Sequence, residues 1–167
     1  MTTPQDFDID AWLDGADRPE RSVTVYQKAS LIADLDALEV QIRNADEEDV
    51  DGPSMGGGVG ALRAKYAEVA QRFHDSALTI RVQGREAHER VKAAESVTDP
   101  ALRGAAVLAD AIQSPKFTPE QVARLAEKLG GAQFQLIVSR FEEASDEIPA
   151  VSADFLPKRS TPDDGGE

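Results

Sequence analysis

Two short runs of alternating, β-branched sequence constrain the fold of this chain most. Residues 21–26 (RSVTVY) and 77–82 (ALTIRV) each place apolar side chains at every second position, the period of a strand with one buried face. Each run is followed by helix-compatible sequence. The two strands are expected to pair, although a two-stranded sheet is only marginally stable alone. Between them, residues 29–45 carry Leu31, Ile32, Leu35, Leu38 and Ile42 as one apolar stripe. Helix resumes near Ala61, where Leu62, Tyr66, Val69 and Phe73 form a coiled-coil-like seam. The intervening residues 46–60 are acidic and Gly-rich and read as a loop. The expected order is strand, helix, helix, strand, with the helix pair packed across one face of the sheet. The fold class is mainly α with a minor α+β element.

The flanking segments add helices. Asp8 and Asp10 suit a helix start, Gly15 a stop, and Ile9, Trp12 and Leu13 share one face. The only tryptophan sits there, which marks residues 1–20 as a docking segment. Residues 86–96 read as a weakly apolar amphipathic helix. Pro100 opens another, with a stripe of Leu102, Ala105, Leu108, Ala109 and Ile112, and Ser114-Pro115 ends it. Thr118, Pro119 and Gln121 form a capping-box start, Val122, Leu125, Ala126 and Leu129 the core face, and Gly130-Gly131 the stop. A last helix, residues 132–144, turns Phe134, Ile137, Val138 and Phe141 inward. Residues 21–144 thus form one helical domain, and the Pro-rich, acidic residues 145–167 read as a disordered tail. Within that tail, Phe155-Leu156 is either a stray apolar pair or a docking peptide.

Charge narrows the function. The formal net charge is −13, yet residues 77–144 hold nine acids and nine bases. The excess lies in residues 1–76 and the tail. An acidic chain is repelled by nucleic acid and by anionic membranes, so proteins with basic or apolar surfaces are its natural partners. There is no cysteine, which excludes disulfides, thiolate metal sites and thiol catalysis. The acidic first residues do not form the basic region of a signal peptide, and no apolar run approaches the ~20 residues of a membrane span.

No motif carries catalytic or cofactor chemistry. Asp6, Asp8, Asp10 and Asp17 echo a calcium loop, but Ala11 stands where the sharp turn needs Gly, and Asp17 replaces the bidentate Glu. The Gly-rich stretch 56–60 lacks the Lys and Ser/Thr of a phosphate loop and follows five acids. His74 and His88 do not have the i, i+4 spacing of a helical metal pair. A helix-turn-helix reading of residues 118–143 offers Gln133, Gln135, Ser139 and Arg140 but no basic stripe. The expectation is a binding protein without enzyme activity, metal or cofactor.

Several phrases resemble the tail assembly chaperones of long-tailed bacteriophages, particularly those of actinobacterial hosts. They are residues 8–26 (DIDAWLDGADRPERSVTVY), 28–39 (KASLIADLDALE), 121–130 (QVARLAEKLG), 133–141 (QFQLIVSRF) and 151–157 (VSADFLP), about half the chain. The Gly-rich loop, residues 52–60, carries no part of the resemblance. The resemblance implies a protein that coats the tape measure protein in the host cytoplasm before the tail tube protein assembles around it. It further implies a longer frameshift product of the same gene as partner, and absence from the mature virion. A structural tail or head-tail component and a helix-turn-helix regulator are the competing readings. Candidate partner-binding residues are Trp12, Leu13, Val23, Val25, Leu125, Leu129, Phe134, Phe141, Phe155 and Leu156. The strand edges around Val23–Val25 and Leu78–Val82 are candidates for joining copies into a homo-oligomer.

Overall fold

The computed structural model describes residues 7–50, 58–146, 148 and 150. Its sheet has three antiparallel strands in the order β1 (Glu20–Tyr26), β2 (Ala77–Gln83), β3 (Ile112–Ser114). The two strands expected from sequence pair in register, with Val23 opposite Ile80 and Val25 opposite Leu78. Alternation then does its work. Val23, Val25, Ile80 and Val82 turn to one face and are buried. The other face is polar: the Thr24 and Thr79 hydroxyls meet at 3.1 Å, and Arg81 pairs with Glu20.

The third strand was not expected. Ile112 reads by sequence as the last stripe position of a helix, but that helix, α5 (Arg103–Ala111), stops one residue earlier. Ile112 takes an extended conformation (φ −71°, ψ 121°), and its backbone joins β2 across a bulge at Arg81/Val82. Ser114, immediately ahead of Pro115, is biased toward extended backbone, and the sheet supplies partners for the peptide groups that leave the helix. The Ser114-Pro115 bond is cis. Ile112 is fully buried either way, so the apolar period alone does not separate the two readings.

The helix pair also sits differently from expectation. α2 (Leu31–Val50) and α3 (Gly58–His74) form a hairpin inserted between β1 and β2. It does not cover the sheet. Its own small core is Leu31, Leu38 and Val69, packed by Leu35, Leu62, Tyr66 and Phe73. Both helices run into the stretch read as loop. Arg63 of α3 grips Asp46 of α2 through both carboxylate oxygens (2.9 and 3.0 Å), a cross-hairpin contact that local composition does not reveal. At its root, Tyr26 stacks on Phe73 (centroids 4.2 Å apart), and Ser76 accepts from the Gln27 and Lys28 backbone.

The sheet's buried face is instead covered by α5, α6 (Pro119–Leu129) and α7 (Gly131–Asp146). Leu108, Ala111, Val122, Ile137 and Phe141 close the main core with Ile112. α6 starts as its sequence requires. Thr118 Oγ1 accepts from the Gln121 backbone at 3.2 Å, and Gln121 Oε1 accepts from the Thr118 backbone at 2.9 Å. It stops at Gly130, whose φ of 78° suits glycine. α7 extends past Ala144 to Asp146, so the first two residues read as tail are helical.

Arg85 fastens the layers where β2 ends. Its guanidinium donates to Asp110 Oδ2 (2.6 Å), the Asp110 carbonyl (2.7 Å) and Gln83 Oε1 (2.7 Å), and its backbone N–H donates to Ser145 Oγ. Lysine cannot reproduce that planar fork. Arg85→Lys is expected to destabilise the fold by about 1–3 kcal/mol, read as a lower urea midpoint.

Gly84 lies beneath the end of α7. A Cβ there would stand 2.2 Å from the Ala144 carbonyl oxygen and 2.8 Å from its carbon, both backbone atoms. Gly84→Ala is expected to cost about 1–3 kcal/mol by overpacking. Gly104 on α5 faces open space, so Gly104→Ala is expected to add about 0.5–1 kcal/mol. Thermal melts of the two variants should therefore move in opposite directions.

Candidate functional site

Helix α6 divides the helical layer into two grooves. One lies between α5, α6 and α7, encloses about 630 Å³, and is predominantly apolar. Phe134, Val138 and Phe141 of α7 supply its aromatic and branched wall. Gly104 and Ala105 of α5 and Ala123 and Ala126 of α6 supply small residues, which let a partner backbone approach closely. At its edge the Arg90 guanidinium lies over the Phe141 ring, 4.7 Å from the centroid. That contact positions a cation beside an apolar floor. Glu142 is the other charged residue lining the groove.

The second groove lies between α6 and the root of the β1–β2 pair and encloses about 510 Å³. Val25, Leu78, Leu125 and Leu129 line it, with Arg124 and Lys128 on the α6 side and Asp75 among its remaining polar residues. Arg124 and Lys128 are exposed and have no ion-pair partner among the described residues.

The third feature is the N-terminal helix α1 (Ile9–Asp14). Asp8 caps it, its carboxylate accepting from the Asp10 and Ala11 backbone at 3.1 Å. Gly15 follows as the C-cap, as expected. None of its residues is buried. Ile9, Trp12 and Leu13 stay more than half exposed, at 51%, 57% and 55%. The chain behind it is pinned: Gly84 donates to the Pro19 carbonyl (3.0 Å), and Arg18 pairs with Glu89 of α4 (Ala87–Glu95). The Glu89 carboxyl is held below the ordinary glutamate range, first by the Arg18 hydrogen bond and then by the Glu86 N–H.

The candidate residues therefore fall into separate places. Trp12 and Leu13 are exposed on α1. Val23 and Val25 are core residues, because the outward positions of β1 are Ser22 and Thr24; Val25 only reaches the floor of the second groove. Leu125 and Leu129 line the second groove, and Phe134 and Phe141 the first. Phe155 and Leu156 lie outside the described residues. The proposed joining edge also changes. β2 is the central strand, and β3 takes up its second edge at Arg81 and Val82, so that part of Leu78–Val82 presents no free edge to a second sheet. β1 is an edge strand, but the Gln133 side chain caps its end, accepting from the Tyr26 N–H (2.8 Å) and donating to the Tyr26 carbonyl (3.1 Å). Sequence reasoning missed Arg124, Lys128, Gly104 and Ala123, offered Gln133 only as a nucleic-acid contact, and read Ala105 and Ala126 as core. The i, i+4 spacing of the two cations beside Leu125 and Leu129 was the available signal.

Among the described residues, no three His, Asp or Glu side chains are grouped so as to hold a metal ion, and no helix is long and apolar enough to cross a membrane. Comparison with known protein families, characterised proteins and solved structures finds no match.

The pin behind α1 has a definite pH response. The folded pKa of Glu89 is depressed, so the contact is complete above the ordinary carboxylate range. It is lost as pH falls through the lowered value. Trp12, the only tryptophan, reports on it. Its fluorescence anisotropy in dilute solution is expected to fall on acidification. Glu89→Gln should give the low value already at neutral pH, without that step.

Proposed function

We propose that this protein is a tail assembly chaperone of a long-tailed bacteriophage, binding apolar helical stretches of the tape measure protein in the α5–α6–α7 groove. The observation that carries the binding mode is the groove itself. It is open, apolar, walled by Phe134, Val138 and Phe141, and opposed by Gly104, Ala105, Ala123 and Ala126. A groove with aromatic anchors and small residues suits the apolar face of an amphipathic helix. The identity of the partner rests on the resemblance of the sequence phrases to that chaperone family. A tape measure protein exposes apolar stripes until the tube encloses it, and masking them keeps it soluble. The acidic excess outside the helical layer adds charge repulsion between complexes, which opposes their aggregation. On this reading the chain acts in the host cytoplasm, without catalysis, alongside the tail tube protein and the longer frameshift product, and is left out of the mature virion.

Co-expression with a tape measure protein from the same phage genome is the direct test. The tape measure protein should be soluble only when this chain is present. Gly104→Glu places a charge on the wall of the groove, where an added Cβ meets nothing within 4 Å, so the substitution starts without a backbone clash. That variant is expected to melt no lower than the unsubstituted chain and to lose the solubilising effect. If the tape measure protein is equally soluble with no chaperone at all, the reading is abandoned. Abundant recovery of the chain from purified virions would favour a structural tail component instead.

A further inference from the structure

The proposed partner groove leaves two features unexplained: the bare apolar helix α1 and the second groove beside α6. We propose that they are the two halves of one contact, and that α1 of one copy docks into the α6–sheet groove of a second copy. This inference does not depend on the chaperone reading.

The match lies in both shape and charge. On α1, Ile9, Trp12 and Leu13 share a face, and Asp10 and Asp14 follow along one side of it, four residues apart. On α6, Leu125 and Leu129 face the groove, and Arg124 and Lys128 follow along one side, also four residues apart. Residues at i and i+4 stand about 6 Å apart on a helix surface. The two acids therefore have the spacing of the two bases when the apolar faces meet. Asp10, Asp14, Arg124 and Lys128 all lack an ion-pair partner among the described residues. Val25 and Leu78 complete the floor on which Trp12 would rest.

The helix is poorly placed to fill the groove of its own chain. Arg18 and Pro19 are tied to Glu89 and Gly84 at the Glu20 end of β1. The groove lies at the other end, beside Val25 and Gln27. From Glu20 to Val25 a strand spans roughly 17 Å. Only Gly15, Ala16 and Asp17 lie between α1 and the tied residues, and three residues reach about 10 Å, so within one chain the last turn of α1 stops short of the groove and only its far end could enter. Trp12 and Leu13 sit at the tethered end of α1, so the donor that seats them in the groove is another copy. Donor and acceptor are different surfaces, so each copy can give and receive at once, and assembly runs head to tail into a ring or an open chain.

Complementation of two full-length variants tests this. Trp12→Ala removes the donor and leaves the groove intact. Arg124→Glu with Lys128→Glu spoils the groove and leaves α1 intact. All three positions are exposed, so folding is not at risk. In sedimentation velocity the unsubstituted chain is expected to assemble with rising concentration. Each variant alone should need about tenfold or more concentration to do so. An equimolar mixture should stop at one-to-one pairs, because only one productive contact remains. Trp12 emission in the mixture, which comes from the groove-spoiled chain alone, should shift to the blue on pairing. A chain that stays monomeric at all concentrations overturns the proposal, as does an assembly that both variants leave unchanged. Neither result bears on tape measure binding at the other groove.

Discussion

Burial of a single sheet face organises this molecule. Val23, Val25, Ile80, Val82 and Ile112 must leave water together, because strand alternation puts them on one side. The opposite side carries Thr24, Thr79, Arg81 and Glu20 and is satisfied in solvent. All covering helices must therefore go to the apolar face. α7 packs directly on β1 and β2, α5 and α6 close the core around it, and α7 comes close enough to the end of β2 that only a glycine fits at position 84. α6 packs against both α5 and α7, with Val122 fully buried beneath it. Its flanks are small on one side, at Ala123 and Ala126, and basic on the other, at Arg124 and Lys128. The two grooves follow from the uneven flanks of one helix.

The α2–α3 hairpin obeys a different balance. Its core holds three buried residues, and much of its remaining support is polar and exposed, such as Tyr66 with Glu39 (2.9 Å) and Arg63 with Asp46. Exposed ion pairs contribute only about 0–1 kcal/mol each. The stacked Tyr26 and Phe73 rings and the Ser76 hydrogen bonds join it to the sheet at its root. Cooperative stability therefore concentrates in the sheet and its helical layer, and the hairpin belongs to the weaker end of the range.

Much of this was legible in the sequence because the signals were local. The alternation of residues 21–26 and 77–82 fixed two strands, and Thr118 with Gln121 fixed the start of α6. What escaped depends on contacts between distant residues. Ile112 satisfies a helical stripe and a strand equally well, and only its pairing with Val82 decides between them. Asp46 looks like the start of a solvated loop until Arg63 is placed opposite it. The hairpin's seam was read correctly, but its destination was not, since an apolar stripe does not say which surface it meets. For the candidate surface the sequence located Trp12, Leu13, Leu125, Leu129, Phe134 and Phe141, but not their division between α1 and two grooves.

The charge distribution bears on how such surfaces can be used. In a chain of net charge −13, two copies repel each other at long range. Within the helical layer the charges are balanced, and several are tied up locally, as in Arg85 with Asp110 and Arg140 with Glu143. Arg124 and Lys128 are left without such partners beside an apolar floor. Their attraction for an acidic helix acts only within about a Debye length, roughly 8 Å at physiological salt. Net repulsion governs the approach, and short-range complementarity governs the contact. Added salt weakens both, so it speeds the encounter while it loosens the ion pairs. An association of this kind would show a shallow salt dependence, unlike the steep one of a steered interaction between oppositely charged proteins.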